Sequence, residues 1–323
     1  MTQTALILGA RGKIGRHFTK AFRDAGWQTK AFTRGTDMAA AAQGCDVIVN
    51  GLNPPNYHAW DRLLPAITTE VLAAAKASGA TILFPGNVYV FGTQPGPWDE
   101  TTPHRPVARK GRIRAEVEAR YKAAAAEGVQ TIILRAGDFI DPDSAESLID
   151  IASLRRFDKG VVTAMGDPDA DHAYAYLPDM ARAGVQLAAI RAELPAFCDV
   201  PFPGHTFTTR GLMQALEALT GRSLRLGHFP WWAIRLASPV WELGRELGEM
   251  RYLYDTPHSL SGARLQALLP GFRETPLSEV LRAVLARRQG FAAAAGLAAS
   301  AALVLRIGAI DTGEIDVQAS PRP

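Results

Sequence analysis

The chain has 323 residues, of which 47% are hydrophobic, so it can bury a substantial core; this excludes wholesale disorder and leaves room for one large α/β unit with an appendage. Its 35 basic and 32 acidic residues nearly cancel, to +3, and no basic block or aromatic-basic alternation marks a nucleic-acid partner. Cys45 and Cys198 form no CxxC pattern, which fits a reducing, cytoplasmic setting better than a disulfide scaffold.

Ala5 to Leu8 is an apolar run that meets glycine at once, and it reads as a strand rather than as part of a signal peptide. Similar runs recur at Gln28 to Thr33, Asp46 to Asn50, Thr81 to Phe84 and Thr131 to Leu134, each expected to be a buried parallel strand. Helix-period segments separate them, at Lys13 to Ala25, Trp60 to Ser78 and Gly111 to Glu127. Parallel strands need right-handed crossovers, so this alternation specifies an α/β fold with a doubly wound parallel sheet and ligands at the strands' carboxyl ends.

Beyond about Asp141 the alternation gives way to loops, a helix from Pro178 to Ala192 and aromatic segments between Phe229 and Tyr254. Trp231, Trp232 and Trp241 are expected in core packing; an apolar pocket, a dimer face or a membrane interface are the other roles open to them. Tyr252 and Tyr254, with Arg251, are candidates for holding an anionic or sugar-like substrate. Phe291 to Leu305 is alanine-rich and uncharged, yet shorter than the ~20 strongly apolar residues of a membrane span. It is expected as a packed terminal helix or an extension without stable membrane insertion. The seven histidines are scattered, His58 and Asp61 read as a solvated surface pair, and no metal is expected.

Gly9-Ala-Arg-Gly12-Lys-Ile-Gly15 follows the first strand directly and opens the first helix. Gly9 permits the turn off the strand, Gly12 lets backbone approach a pyrophosphate and Gly15 allows close helix-to-sheet packing, while the helix N-terminus offers free amides and partial positive charge. Arg11, Lys13 and Ile14 complete the candidate phosphate loop. Residues 1–140 are accordingly expected to form a Rossmann dinucleotide-binding domain whose sheet later segments complete. Residues 141–290 are expected as a smaller C-terminal substrate-binding lobe, and 291–323 as an extension.

The GxxGxxG spacing resembles the short-chain dehydrogenase/reductase superfamily. In its extended members a stretch similar to Gly51-Leu-Asn-Pro-Pro55 faces the adenosine and the nicotinamide ribose. Phe84-Pro-Gly-Asn87-Val-Tyr89-Val-Phe-Gly92 is similar to the strand end that carries a serine and a Val-Tyr-Gly turn, and Leu134-Arg-Ala-Gly-Asp138-Phe-Ile-Asp-Pro142 to a later strand and its Gly-Pro exit. Tyr176-Leu-Pro-Asp179-Met-Ala181 is similar to the segment before the next helix, so the likeness spans roughly residues 4 to 290. It implies cofactor contacts from Leu52, Asn53, Pro85 and Asp138, and a homodimer as a partner state.

An acid about 20 residues past the loop accepts from the ribose hydroxyls where NAD is preferred. Thr33-Arg34 stands there instead, and an arginine pairs with a 2′-phosphate, with Arg11 as a second cation, so NADP(H) is the expected cofactor. The family's catalytic Tyr-x-x-x-Lys is replaced by Lys110-Gly-Arg-Ile-Arg114, and Asn87 is the closest polar substitute for the missing serine. This resembles the atypical, NmrA-like and isoflavone-reductase-like branch. Lys110, in an apolar cleft beside Arg114, is a candidate to donate a proton or hold the nicotinamide ribose, and Tyr89 is the alternative donor. Three functions stay open: an NADPH-dependent oxidoreductase acting on a small molecule, a nucleotide-sugar epimerase or dehydratase, and an NADPH-binding redox sensor.

Overall fold

In the computed structural model, which describes residues 2–54 and 57–289, each of the five apolar runs forms a strand and each of the three helical periods a helix. The first half runs β1 (Thr4–Leu8), α1 (Lys13–Asp24), β2 (Gln28–Ala31), α2 (Met38–Ala42), β3 (Val47–Asn50), α3 (Trp60–Ser78), β4 (Thr81–Asn87), α4 (Arg109–Ala124) and β5 (Thr131–Ala136). The second half is β6 (Asp138–Ile140), β7 (Val161–Ala164), β8 (His172–Tyr176), α5 (Leu177–Ala189), β9 (Phe197–Pro201), β10 (His205–Phe207), α6 (Thr209–Thr220) and β11 (Arg225–His228). It closes with α7 (Trp231–Ala237), α8 (Glu242–Glu249), α9 (Ala263–Leu268) and a helix, α10, over residues 277–289. The alanine-rich extension at 291–323 lies outside the described residues.

The main sheet has the order β2-β1-β3-β4-β5-β9 with every pair parallel, so residues beyond 140 supply its last strand. Its central strands are buried on both faces, which explains their unbroken apolar runs. One face packs Phe18 and Phe22 of α1 with Met180 and Leu187 of α5. The other packs Trp60 and Leu64 of α3 with Ile113, Val117 and Tyr121 of α4. Strand order reverses between β1 and β3, so the loops that leave their carboxyl ends diverge and open the crevice where this Rossmann architecture binds ligands.

A smaller assembly adjoins that crevice. β6, β8 and β10 form one short sheet, β7 and β11 another, and both share an apolar cluster with α6 and α10 through Leu212, Leu216, Val280 and Leu281. Two sequence expectations change here. Helix α4 starts at Arg109, two residues before the expected Gly111, so Lys110 sits in its first turn. Of the three tryptophans expected in the core, Trp231 is held by a hydrogen bond to the Met165 carbonyl, but Trp232 is 68% and Trp241 40% exposed. The seven-residue α7 has no buried residue, so its apolar period points outward rather than into a core. Among the described residues no helix is long and apolar enough to cross a membrane.

Candidate active site

β1 ends at Leu8 and the chain must turn at once into α1. Gly9 does so at φ +74°, in the left-handed region that L side chains avoid, and a Cβ on it would lie 2.9 Å from the Gly51 carbonyl oxygen. Gly15 is tighter still: a Cβ there would stand 2.2 Å from the Gly9 carbonyl oxygen and 2.7 Å from the Ala10 Cα, so only glycine lets helix and loop close. Gly12 precedes the helix, its amide donating to the Gly9 carbonyl at 2.8 Å, and no side chain caps α1. The first-turn amides therefore have no side-chain partner, and they stand at the positive end of the helix. Arg11 is exposed at the loop tip, and Ile14 packs into the core. Lys13 turns instead toward the smaller lobe, donating to the Glu146 carbonyl at 2.5 Å, and burial lowers its pKa.

Beside this loop, the carboxyl ends of β2 and β3 and the face of α3 enclose a cavity of about 600 Å³, lined among others by Phe32, Arg34, Leu52, Asn53, Leu63 and Ile67. Arg34 is exposed on its rim. Asp37, a carboxylate in the same cavity, spends its Oδ1 on the Ala39 and Ala40 amides at 2.8 and 3.2 Å, capping α2. A glycine turn too tight for any Cβ, with a cavity of this size beside Leu52, fits a dinucleotide.

Of the other expected cofactor contacts, Leu52 and Asn53 line the same cavity, and Pro85 is buried in β4. Leu52 is buried, and its amide donates to Asn50 Oδ1 at 3.3 Å. Asn53 is exposed and its Oδ1 accepts from Arg114 at 3.0 Å. Pro85 lies within β4, where proline is costly in a central strand unless its missing N–H has no partner. Its nitrogen faces β3, and the ladder to β3 has already ended at Leu83, so nothing is lost.

Lys110 and Arg114 share one face of α4, four residues apart. The apolar cleft expected around Lys110 is absent. Its side chain is 0% exposed, its ammonium donates to Glu249 Oε2 at 2.7 Å and to the Glu246 carbonyl at 3.1 Å, and it forms an ion pair with the Glu246 carboxylate. Its amide also donates to Glu249 Oε1 at 2.9 Å. Both glutamates belong to α8, a partner that lies 136 and 139 residues away in the chain. Lys110 thus fastens α8 to the start of α4. Arg114 stacks its guanidinium 4.8 Å from the Trp60 ring and 5.4 Å from the Phe84 ring, and burial lowers its pKa.

Asn87 Oδ1 accepts from the Tyr89 amide at 3.1 Å and so starts the turn Val88–Phe91. The Asn87 carbonyl accepts from Arg135 at 2.7 Å. That arginine is buried between Glu118 of α4, at 2.7 Å, and Asp199 of β9, at 2.5 Å. Burial opposes its charge, yet the two carboxylates hold its pKa above the ordinary value. One ion cluster therefore fixes the end of β4, and with it the direction of Tyr89.

Tyr89 meets Tyr57 hydroxyl to hydroxyl at 3.3 Å. Nearby, Asp138 Oδ2 takes a hydrogen bond from Tyr254 at 3.2 Å and faces His172 Nε2 at 3.0 Å. The His172 and Tyr254 rings stack at 5.1 Å, and His258 meets His172 edge-on at 4.4 Å. Burial pushes the Tyr89 phenol well up, with the neighbouring Tyr57 and Asp138 adding to it, and burial with Asp138 does the same for Tyr254. Burial also works against the Asp138 charge, but His172, His258 and the Tyr254 hydroxyl together outweigh it and hold that carboxyl below the usual range. The cluster combines phenols that keep their protons at neutral pH with a carboxylate that has lost its own.

The sequence reading had Tyr89, Asn87 and Asp138 in this neighbourhood and missed Tyr57, His172, His258, Glu246 and Glu249. A signal existed for one of them: His172-Ala-Tyr174-Ala-Tyr176 alternates with a strand's period, which puts the histidine and both tyrosines on one face. Two His-carboxylate clusters, His17 with Asp141 and Asp143 and His104 with Glu118 and Asp199, bring ligand atoms within 4.8 Å of one another. Arginines share both, Arg16 at 3.1 Å from Asp141 and Arg135 between Glu118 and Asp199, which supplies the positive charge a cation would bring. His58 pairs with Glu242 at 3.1 Å, at the surface, rather than with Asp61.

No protein family and no curated protein matches this chain by sequence. Solved structures do match its fold. A UDP-galactose 4-epimerase superposes with a TM-score of 0.64 at 17% identity, over 88% of this chain and 99% of that one. A UDP-glucose 4-epimerase from Stenotrophomonas maltophila, with bound NAD and formylated UDP-arabinopyranose, gives 0.69 at 16% identity, over 91% and 100%. A short-chain dehydrogenase/reductase superfamily protein from Agrobacterium tumefaciens, with bound NAD, gives 0.68 at 16% identity, over 91% and 99%. The chain has the extended short-chain dehydrogenase/reductase fold.

Proposed function

We propose that this chain is an NADPH-dependent oxidoreductase that reduces a carbonyl-bearing small molecule. The observation that carries the reading is the glycine turn of Gly9, Gly12 and Gly15 at the uncapped start of α1, together with a neighbouring cavity that Arg34 lines and in which Asp37 is engaged as a helix cap. Crystal structures of the same fold that contain NAD support a nicotinamide dinucleotide there. Arg34 and Arg11 would pair with a 2′-phosphate, which favours the phosphorylated form.

A bound NADPH supplies the hydride; the chain supplies everything else. The α1 amides and the glycine loop would hold the pyrophosphate, and Leu52, Asn53 and Pro85 would flank the adenosine and nicotinamide ends. Tyr89, linked to Tyr57, would donate to the substrate carbonyl. A phenol with a raised pKa holds its proton until an alkoxide develops, which suits reduction better than the removal of a proton from an alcohol. Asn87 and Arg135 aim Tyr89, Arg114 holds Asn53, and Lys110 clamps α8 over the site. Nucleotide-sugar epimerisation is disfavoured because Lys110 and Arg114 replace the Tyr-x-x-x-Lys of the family that the chain resembles.

The test is loss of nicotinamide absorbance when full-length protein and NADPH meet a panel of aldehydes and ketones. Turnover is expected, and Tyr89→Phe should lower kcat by about 10²-fold or more, with KM little changed. Binding of NADPH without consumption by any carbonyl would leave the redox-sensor reading in its place.

A further inference from the structure

The tyrosine cluster restricts the substrate more narrowly than a bare carbonyl. Two hydroxyls, Tyr57 and Tyr89, share one hydrogen bond, so one phenolic proton of the pair has no acceptor in it. Asp138 commits only Oδ2, to Tyr254 and His172; among the described residues Oδ1 has no partner, and the side chain is 18% exposed. The same patch therefore offers one donor and one ionised acceptor. Aromatic rings pack beside Asp138: His172 stacked on Tyr254, and its strand neighbour Tyr174 stacked on Phe207 at 4.3 Å.

The cations around it are already engaged. Lys110 is taken by Glu246 and Glu249, Arg109 by Glu246 at 3.1 Å, and Arg114 by Asn53 and two aromatic faces. A phosphate brought here would meet the Asp138 carboxylate with no unpaired cation beside it among the described residues, an arrangement that rejects an anion.

We infer that the substrate is an uncharged, phosphate-free hydroxy-carbonyl compound with a flat apolar body, its carbonyl accepting from the Tyr57–Tyr89 pair and its hydroxyl donating to Asp138 Oδ1. This rests on the oxidoreductase reading for the position of the reacting carbonyl. It makes Asp138 a specificity residue of the substrate pocket, where the sequence resemblance implied a cofactor contact.

The experiment is calorimetric titration of the full chain. NADP+ goes in first, to saturation, so that a failure of the dinucleotide reading shows itself before any substrate probe is added. Para-hydroxyacetophenone and UDP-glucose are then titrated separately into the binary complex. The hydroxyketone is expected to bind and UDP-glucose to bind far more weakly or not at all. Asp138→Asn, which keeps the shape and removes the charge, should weaken the hydroxyketone by about tenfold or more and leave NADP+ affinity unchanged. Because the two wild-type titrations stand without the variant, a folding defect in it does not blunt the test. UDP-glucose binding more tightly than the hydroxyketone, no binding of the hydroxyketone to the NADP+ complex, or an Asp138→Asn protein that binds it as well as wild type would each overturn the inference.

Discussion

Lys110→Met keeps the length of the side chain and deletes its ammonium, leaving Glu246 and Glu249 as buried carboxylates whose main cation has gone. Breaking a buried ion pair in this one-sided way costs about 3–5 kcal/mol. Here Glu246 is 11% and Glu249 24% exposed, and Arg109 stays 3.1 Å from Glu246, so some charge remains solvated or paired. The lower end applies, about 3 kcal/mol, and at roughly 2 °C per kcal/mol for a chain of this size the melting temperature should fall by about 6 °C. Adding Glu246→Gln and Glu249→Gln removes the uncompensated charges and should recover most of that loss, as double-mutant logic requires of a coupled cluster. Thermal and urea unfolding of the single and triple variants measure both quantities. If the single variant melts with wild type, or the triple variant melts no higher than the single one, Lys110 is not a clamp. A loss of turnover at unchanged stability would return it to the role of proton donor that its place in the sequence first suggested.

Arg34→Ala should weaken NADPH by about 1.5–3 kcal/mol, roughly 10- to 150-fold, and barely change NADH, because only the 2′-phosphate meets the guanidinium; parallel losses for both cofactors in a binding assay would argue against that contact. Gly15→Ala places a Cβ 2.2 Å from the Gly9 carbonyl oxygen, and loop and helix must part to admit it. Dinucleotide binding measured by fluorescence should disappear, whereas an alanine variant with wild-type affinity would contradict the packed cradle. His258 is buried against Trp98, their rings stacked at 4.8 Å, and burial first, then His172, pushes its pKa from 6.5 down to about 3. The unfolded chain therefore takes up this proton first as the solution is acidified. The stability that His258 contributes is complete above pH 6.5 and is lost as pH falls toward about 3, by up to about 1.4 kcal/mol per pH unit. His258→Phe should flatten that part of the melting-temperature profile, and superimposable profiles would show that His258 is not the group responsible.

The Rossmann half was legible because its signals are local. Strands buried on both faces write continuous apolar runs, as Val47 to Val49 and Ile132 to Leu134 do, and Gly9 and Gly15 mark backbone approaches that no other residue allows. The substrate side was not legible in this way. Lys110 reads as a lone cation until α8 folds back on it, and Asp138 meets His172 and Tyr254 from 34 and 116 residues away, with no local spacing to announce the contact. The tryptophans misled for a related reason: apolar side chains suggest a core, but α7 is too short and too peripheral to turn Trp232 inward. Arg34, read from the sequence as the cation that selects the cofactor, is one of the residues that line the cavity beside β2.

The central claim is that the α1 amide cradle and the arginines beside it recognise a phosphorylated nicotinamide dinucleotide. Calorimetric titration of the wild-type full chain with NADPH, and separately with NADH, tests this directly. The account predicts a saturable one-site isotherm for NADPH, tighter than that for NADH by about tenfold or more. No heat from NADPH up to millimolar concentration, or NADH binding as tightly as NADPH, would contradict it.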